Sequence, residues 1–151
     1  MKAPAGGVTR PINAVCTGSL RNDAGGIGVT VSLENAVAAH LDAWNAPDSP
    51  DRAQAIANLY SPDVFIGEPG AEHRGLSGMA TAISALQAQM PGTEITRTGP
   101  IQTVQDLVTY TWELGARGEP PIATGRDVLL MRDGRITSLY VLIDAPKPFA
   151  D

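Results

Sequence analysis

Cysteine is almost missing from this chain of 151 residues: Cys16 stands alone, so no internal disulfide can form. Histidine is nearly as scarce. His40 and His73 lie far apart and join no Cys/His cluster, which argues against a bound metal. Positive charge is in deficit, with 11 Lys and Arg against 16 Asp and Glu for a net charge of -5. That is the wrong sign for a domain that binds by neutralising phosphates, so neither nucleic acid nor an anionic membrane is an expected partner. No apolar run approaches the roughly 18 residues that a membrane-spanning helix needs. No glycine-rich phosphate loop follows a strand in the required context, and no cofactor is expected.

What is present fits one folded, water-soluble domain: 43% hydrophobic residues, 18% charged, and a length that suits a single core. The seven aromatics are unevenly placed. Residues 1–31 hold none of them, contain eight Gly or Pro, and carry a balance of +2. So little apolar surface cannot offset the entropy of ordering, and a flexible arm is expected there. Lys2 is followed by no apolar stretch of a secretory leader, which leaves the cytoplasm as the expected compartment. The domain is expected over residues 32–144, with a short tail over 145–151.

Ser32 is a good helix cap, and Leu33, Val37, Leu41 and Trp44 recur at three- or four-residue steps, predicting an amphipathic helix that ends near Asn45. His40 lies on its apolar face. Ser49-Pro50 starts a second helix through Ile56, Leu59 and Tyr60, which Pro62 should stop. A short strand is predicted at Val64 to Gly67, with Val64, Ile66 and Glu68 sharing a face. The Glu72-His73-Arg74 segment reads as a solvated loop. A third helix follows from about Ser77 to Met90, closed by Pro91-Gly92.

From there the period falls to two. Strands are predicted at Thr93 to Thr98, Ile101 to Gln105, Leu107 to Ala116, Ile122 to Met131 and Arg135 to Ile143. The last three have no helix between them and should form an antiparallel meander. Helices first and a sheet afterwards is the order of an α+β fold: a cone-shaped, curved, mostly antiparallel sheet wrapped around three N-terminal helices, enclosing a pocket.

Within those strands, Val108, Tyr110, Trp112 and Leu114 share one face, and Asp127 falls in phase with Ala123, Leu129 and Met131. An acid among apolar neighbours costs several kcal/mol if charged and unpaired, so Asp127 should be neutral, paired or at a cavity. Arg126 and Arg97 are the partners a purely structural role would use. His40, Glu68 and Asp127 together form a candidate acid–base constellation.

The segment Tyr60-Ser61-Pro62-Asp63-Val64-Phe65-Ile66-Gly67-Glu68-Pro69, followed by Arg74-Gly75, resembles the Y-x-x-D-x-x-x-x-D/E-P…G signature of the SnoaL-like and ketosteroid isomerase branch of the nuclear-transport-factor-2-like superfamily. Arg97-Thr98-Gly99-Pro100-Ile101 and the stretch from Asp127 to Ile136 are similar to a strand entry and a hairpin of bacterial ketosteroid isomerases. The resemblance implies a conical barrel with an inner pocket, and commonly a homodimer. It also implies that Glu68 is the base that moves a proton beside a ketone, and that Asp127 is one donor of the oxyanion hole. His40 stands where those enzymes have the helix tyrosine, and Ile83 where a supporting tyrosine would stand. Ile143 stands where steroid enzymes have an aromatic wall.

The resulting expectation is a cofactor-independent, isomerase-like enzyme acting on a small apolar carbonyl compound of steroid or polyketide type. Glu68, Asp127 and His40 would be catalytic, and Tyr60, Tyr110, Trp112, Leu129, Leu139 and Ile143 would line the substrate site. Two alternatives stand beside it. One is a SnoaL-like cyclase or epoxide-opening enzyme using two carboxyls, with Glu94 as the second. The other is a non-catalytic module that binds an apolar ligand or dimerises.

Overall fold

The computed structural model describes residues 32–145. The arm expected over residues 1–31, Cys16 within it, and the tail beyond 145 lie outside the described residues. Helix α1 spans Leu33–Asn45, and the Ser32 hydroxyl accepts the Asn35 amide at 3.0 Å, as the capping signal requires. Helix α2 spans Pro50–Leu59; Ser49 accepts the Arg52 amide at 3.1 Å and Pro50 sits in the first turn, where its missing N–H costs nothing. Helix α3 spans Gly75–Gln89.

Seven strands follow the helices or run between them: β1 Tyr60–Glu68, β2 Ala71–Arg74, β3 Glu94–Arg97, β4 Gln102–Val104, β5 Leu107–Gly115, β6 Ala123–Arg132 and β7 Arg135–Ile143. They form one mixed sheet in the order β2-β1-β7-β6-β5-β3, with β4 also paired to β5. The two ends, β2 and β3, do not meet, so the sheet is unclosed. The meander β5-β6-β7 is antiparallel as expected, and the one parallel pairing joins β1 to β7.

Two local expectations are corrected. The second helix ends at Leu59 rather than at Pro62, because Tyr60 already pairs with Ile136 of β7 in extended backbone. Pro62 then falls inside the register shift between Tyr60 and Phe65, where a residue without an N–H interrupts no ladder bond. The segment expected as a solvated loop, Glu72-His73-Arg74, is strand β2, paired antiparallel to β1 with Glu68 opposite Ala71. Pro69-Gly70 makes the two-residue turn, and Gly70 takes a φ of +81° that the second turn position demands.

Burial alternates along β5, where Val108, Tyr110, Trp112 and Leu114 are buried and the residues between them are not. That inner face, with Val64 and Ile66 of β1, Leu129 of β6 and Leu139 of β7, packs on Val37, Leu41 and Trp44 of α1, Ile56 of α2, and Met79 and Ile83 of α3. Leu129 and Leu139 face each other in register and are closed off from solvent. Truncating either to Ala would cost about 2–5 kcal/mol.

A buried arginine holds the helices together, and the periodicity gave no sign of it. Arg52 is 2% exposed; its guanidinium donates to the Ala46 carbonyl at 3.2 Å and to the Ser84 hydroxyl at 3.0 Å. The outer face of the sheet is partly apolar, with Tyr140 and Leu142 exposed and Phe65 tilted against Tyr140. Among the described residues no helix is long and apolar enough to cross a membrane.

Candidate active site

The β5–β6 register places Tyr110 directly opposite Asp127, with Trp112 opposite Gly125. Both rings therefore reach the same carboxyl from one neighbouring strand. The Tyr110 hydroxyl donates to Asp127 Oδ2 at 2.7 Å and the Trp112 indole donates to Oδ1 at 2.9 Å. A glycine at 125 is a condition of this arrangement, because a Cβ there would run into the Trp112 ring and the Leu142 carbonyl.

From α1, His40 enters between the rings. Its Nε2 lies 3.1 Å from Asp127 Oδ2, and its Nδ1 lies 2.5 Å from the Tyr60 hydroxyl. The imidazole can serve Asp127 in either protonation state. If Tyr60 donates to Nδ1, then Nε2–H donates to a carboxylate; if Nδ1–H donates to Tyr60, then Nε2 accepts from a carboxylic acid. His40 is 1% exposed and Asp127 6%, and Tyr60 and Tyr110 are fully buried.

This environment acts on both tyrosines. Burial, with the neighbouring charge and hydrogen bond of Asp127, pushes the Tyr110 hydroxyl far above its ordinary proton affinity. Burial does the same to Tyr60; the nearby Trp44 indole opposes that rise and Asp127 adds to it. Both hydroxyls are therefore proton-holding donors at neutral pH.

Glu68 sits in the same transverse row as Asp127. Gly67 pairs with Tyr140, so the register carried one residue further sets Glu68 beside Val141, which pairs with Asp127, which pairs with Tyr110. Ile66, Leu139 and Leu129 make the adjacent row on the same inner face. At about 4.8 Å per strand step, the Glu68 and Asp127 backbones are roughly 10 Å apart with Val141 between them. The Glu68 carboxylate is half-buried and meets His73 Nε2 at 3.1 Å.

The remaining expected residues are dispersed. Ile143 pairs with Gly125 at the end of β7 and is 52% exposed. Glu94 on β3 forms an ion pair with Arg117 at 3.2 Å, outside the row. Neither arginine considered for Asp127 reaches it: Arg126 donates to the Thr109 hydroxyl at 3.1 Å, and Arg97 to the Gly99 carbonyl. His73 joined the site without a sequence signal, although the Pro69-Gly70 turn could have announced the hairpin that folds it back onto Glu68. Among the described residues no group of three or more His, Cys, Asp or Glu could hold a metal.

An open cleft of about 420 Å³ lies between α1 and β3, walled by Glu34, Asp42, Asn45, Ile95 and Arg97. It shares Val37 and Leu41 with the core. Asn45 fixes its width by donating to the Ile95 carbonyl at 2.9 Å and accepting the Ile95 amide at 2.8 Å.

Comparison with known proteins agrees with this architecture. The model of the SnoaL-like domain matches residues 37–139. An inferred isomerase of the SnoaL-like family from Agrobacterium tumefaciens superposes with a TM-score of 0.69 at 22% identity, covering 74% of this chain and 97% of that one. An inferred polyketide cyclase from Sinorhizobium meliloti gives 0.58 at 19% identity, covering 71% and 93%. A protein with a ketosteroid isomerase-like fold from Catenulispora acidiphila, solved with trimethylamine, gives 0.60 at 22% identity, covering 73% and 85%. No curated protein sequence matches the chain significantly.

Proposed function

The chain belongs to the SnoaL-like domain family, and from that premise we propose that it moves a proton beside the carbonyl of a small apolar substrate of steroid or polyketide type. The observation that carries this reading is the row Glu68, Val141, Asp127, Tyr110 across the inner face, with His40 set against Asp127. It offers a reachable base at one end, an apolar floor in the middle and a dry cluster of donors at the other end.

In this reading the Glu68 carboxylate takes a proton from the carbon next to the carbonyl. The C–H electron pair becomes the enolate double bond, and charge moves onto the oxygen. His40 and Asp127, the latter in its acid form, meet that oxygen, and Glu68 returns the proton to a second carbon. Such proton transfer contributes on the order of 10²–10⁴-fold, and preorganised donors add about 3 kcal/mol each. His73 holds the Glu68 carboxyl in place from β2.

A second reading is favoured by the saturation of Asp127, whose two oxygens are already engaged with Trp112, Tyr110 and His40. On that reading the network only shapes a binding site, and the protein holds an apolar ligand without turning it over. Glu68→Gln decides between them. Purified protein and a panel of cyclic enones in deuterated buffer should show deuterium uptake beside the carbonyl, reduced on the order of 10²-fold or more in a Glu68→Gln variant of unchanged circular dichroism. Exchange no faster than in buffer, or equal in the variant, removes the catalytic reading.

The family resemblance and the exposed Tyr140 and Leu142 of the outer face support a homodimer packed through that face. Sedimentation velocity should give a dimer that Leu142→Glu converts to monomer; a monomeric parent protein discards the idea.

A further inference from the structure

The base of the proposed reaction has a second titratable side chain bonded to it. In the β1–β2 register His73 stands opposite Ile66 and Glu68 opposite Ala71, so His73 and Glu68 are diagonal neighbours on the inner face of the hairpin. The imidazole Nε2 lies 3.1 Å from Glu68 Oε2. Among the described residues Oε2 is the oxygen of Glu68 that takes a protein partner, and Oε1 is left for a substrate.

The place of His73 is enforced from α3. A Cβ at Gly78 would lie 3.1 Å from the Cβ of His73 and 3.4 Å from its carbonyl carbon, so a larger residue there would push strand and helix apart. Glycine is unfavourable inside a helix, and this close approach is what requires it at 78. The flanking charges stay away. Glu72 and Arg74 alternate to the opposite face, where they pair at 4.0 Å and Arg74 lies 4.8 Å over the Phe65 ring. A carboxyl that carries a proton from one carbon to another conserves that proton only while no other group can take it. Imidazole binds a proton roughly a hundredfold more tightly than a glutamate carboxylate in their ordinary states. This one is also half-buried and in touch with water, unlike His40, whose two nitrogens are both engaged inside the core.

We propose that His73 is a positioning residue and the proton outlet of Glu68: it holds Oε2, and it passes the proton taken from substrate to water and back. The assignment rests on the acid–base reading above, with Glu68 as base and His40 and Asp127 at the substrate oxygen, and adds the route by which the proton leaves. Once Glu68 is protonated, the imidazole tautomer with its hydrogen on Nδ1 presents the Nε2 lone pair to the acid. The carboxyl O–H bond breaks as Nε2–H forms, and the imidazolium gives its Nδ1 proton to water. What remains is the carboxylate with Nε2–H donating to it. The reverse sequence brings a solvent proton to Glu68 and from there to the second carbon.

The test uses the full chain and 3-cyclohexenone, dideuterated at the carbon between carbonyl and alkene, in ordinary water. Isomerisation to the conjugated enone places either that deuterium or a solvent hydrogen on the far alkene carbon. Mass spectrometry of the product, corrected for the reaction in buffer, reads which. The parent should deliver mainly solvent hydrogen. His73→Gln keeps a donor for Glu68 but cannot carry a proton through, and it should raise deuterium retention on the order of tenfold. His73→Ala should retain deuterium as well, and imidazole added to the buffer should restore the washout there but not in His73→Gln. Retention is a ratio within the product, so a variant that is only slower or less stable does not move it. Mainly retained deuterium in the parent overturns the outlet, as does equal retention in the parent and His73→Gln; either result spares the acid–base reading if isomerisation still depends on Glu68. Isomerisation by the parent no faster than in buffer overturns both.

Discussion

Two imidazole–carboxyl pairs in this molecule have the same separation, 3.1 Å, and nothing else in common. In the pair His40–Asp127 the side chains are 2% and 8% exposed; in His73–Glu68 they are 21% and 29% exposed. The first pair spans α1 and β6, and three aromatic side chains supply its other polar contacts. The second spans a hairpin turn. In the low dielectric around Asp127 each partner is obligatory, because a polar group that loses its partner there cannot turn to water. At Glu68 water competes for both groups, so the pair can exchange partners and protons at small cost. One carboxyl is fixed by its partners, and the other keeps the access to solvent that the proposed role of a base requires.

The largest test of this contrast is truncation of the two acids. Asp127→Ala should lower unfolding free energy by on the order of 3 kcal/mol in urea titration, since it strands His40, Tyr110 and Trp112 donors inside the core. Glu68→Ala should cost no more than about 1 kcal/mol. Equal losses would mean that burial does not separate the two pairs.

Next in size is Tyr110→Phe, expected to cost about 1–2 kcal/mol at neutral pH for the lost bond to Asp127. It should also change the alkaline limb. The folded protein holds the Tyr110 proton far more tightly than the unfolded chain, where the hydroxyl titrates near its ordinary value of 10.0. Its stabilisation is therefore complete below about pH 10 and declines as pH rises beyond it. Thermal melts from pH 8 to 11 should fall above pH 10 in the parent and fall less steeply in Tyr110→Phe. Tyr60 contributes to the same decline and leaves part of it in place. Parallel curves for parent and variant would show that Tyr110 is not the group responsible.

The smallest expected effect is that of His73→Gln, within about 0.5 kcal/mol in stability and insensitive to added salt, because the pair it breaks is already screened. A larger loss would place His73 with the buried pair.

The α+β order, the three helices and the meander were legible because burial of one face imposes a period, and the period is written in the residues themselves. His40 and Asp127 showed as polar residues in phase with apolar ones, and their contact across 87 residues follows from α1 lying on β6. What phase cannot show is which atom meets which. That His73 folds onto Glu68 depends on one turn, the burial of Arg52 on a carbonyl and a hydroxyl brought from two other segments, and the approach of the Trp44 N–H to the Tyr60 oxygen on how α1 meets β1. Trp44 reads in sequence as ordinary core, since its apolar period is the same whether or not its nitrogen has a partner.

The separation of the network along the chain bears on how it comes into being. Tyr110 and Trp112 lie 17 and 15 residues from Asp127 and reach it through one hairpin, a local closure. His40 waits across 87 residues, and Tyr60, 20 residues from it, is joined to Ile136 by the parallel pairing of β1 with β7, a closure that needs the chain's far end. The polar centre thus joins a local half, a carboxyl met by two aromatics from one hairpin, to a distant half that supplies the imidazole. By contact order the hairpin half is the cheaper to close and the imidazole the costlier, so the contact between α1 and Asp127 is the one whose loss should open the centre while β5 and β6 stay paired.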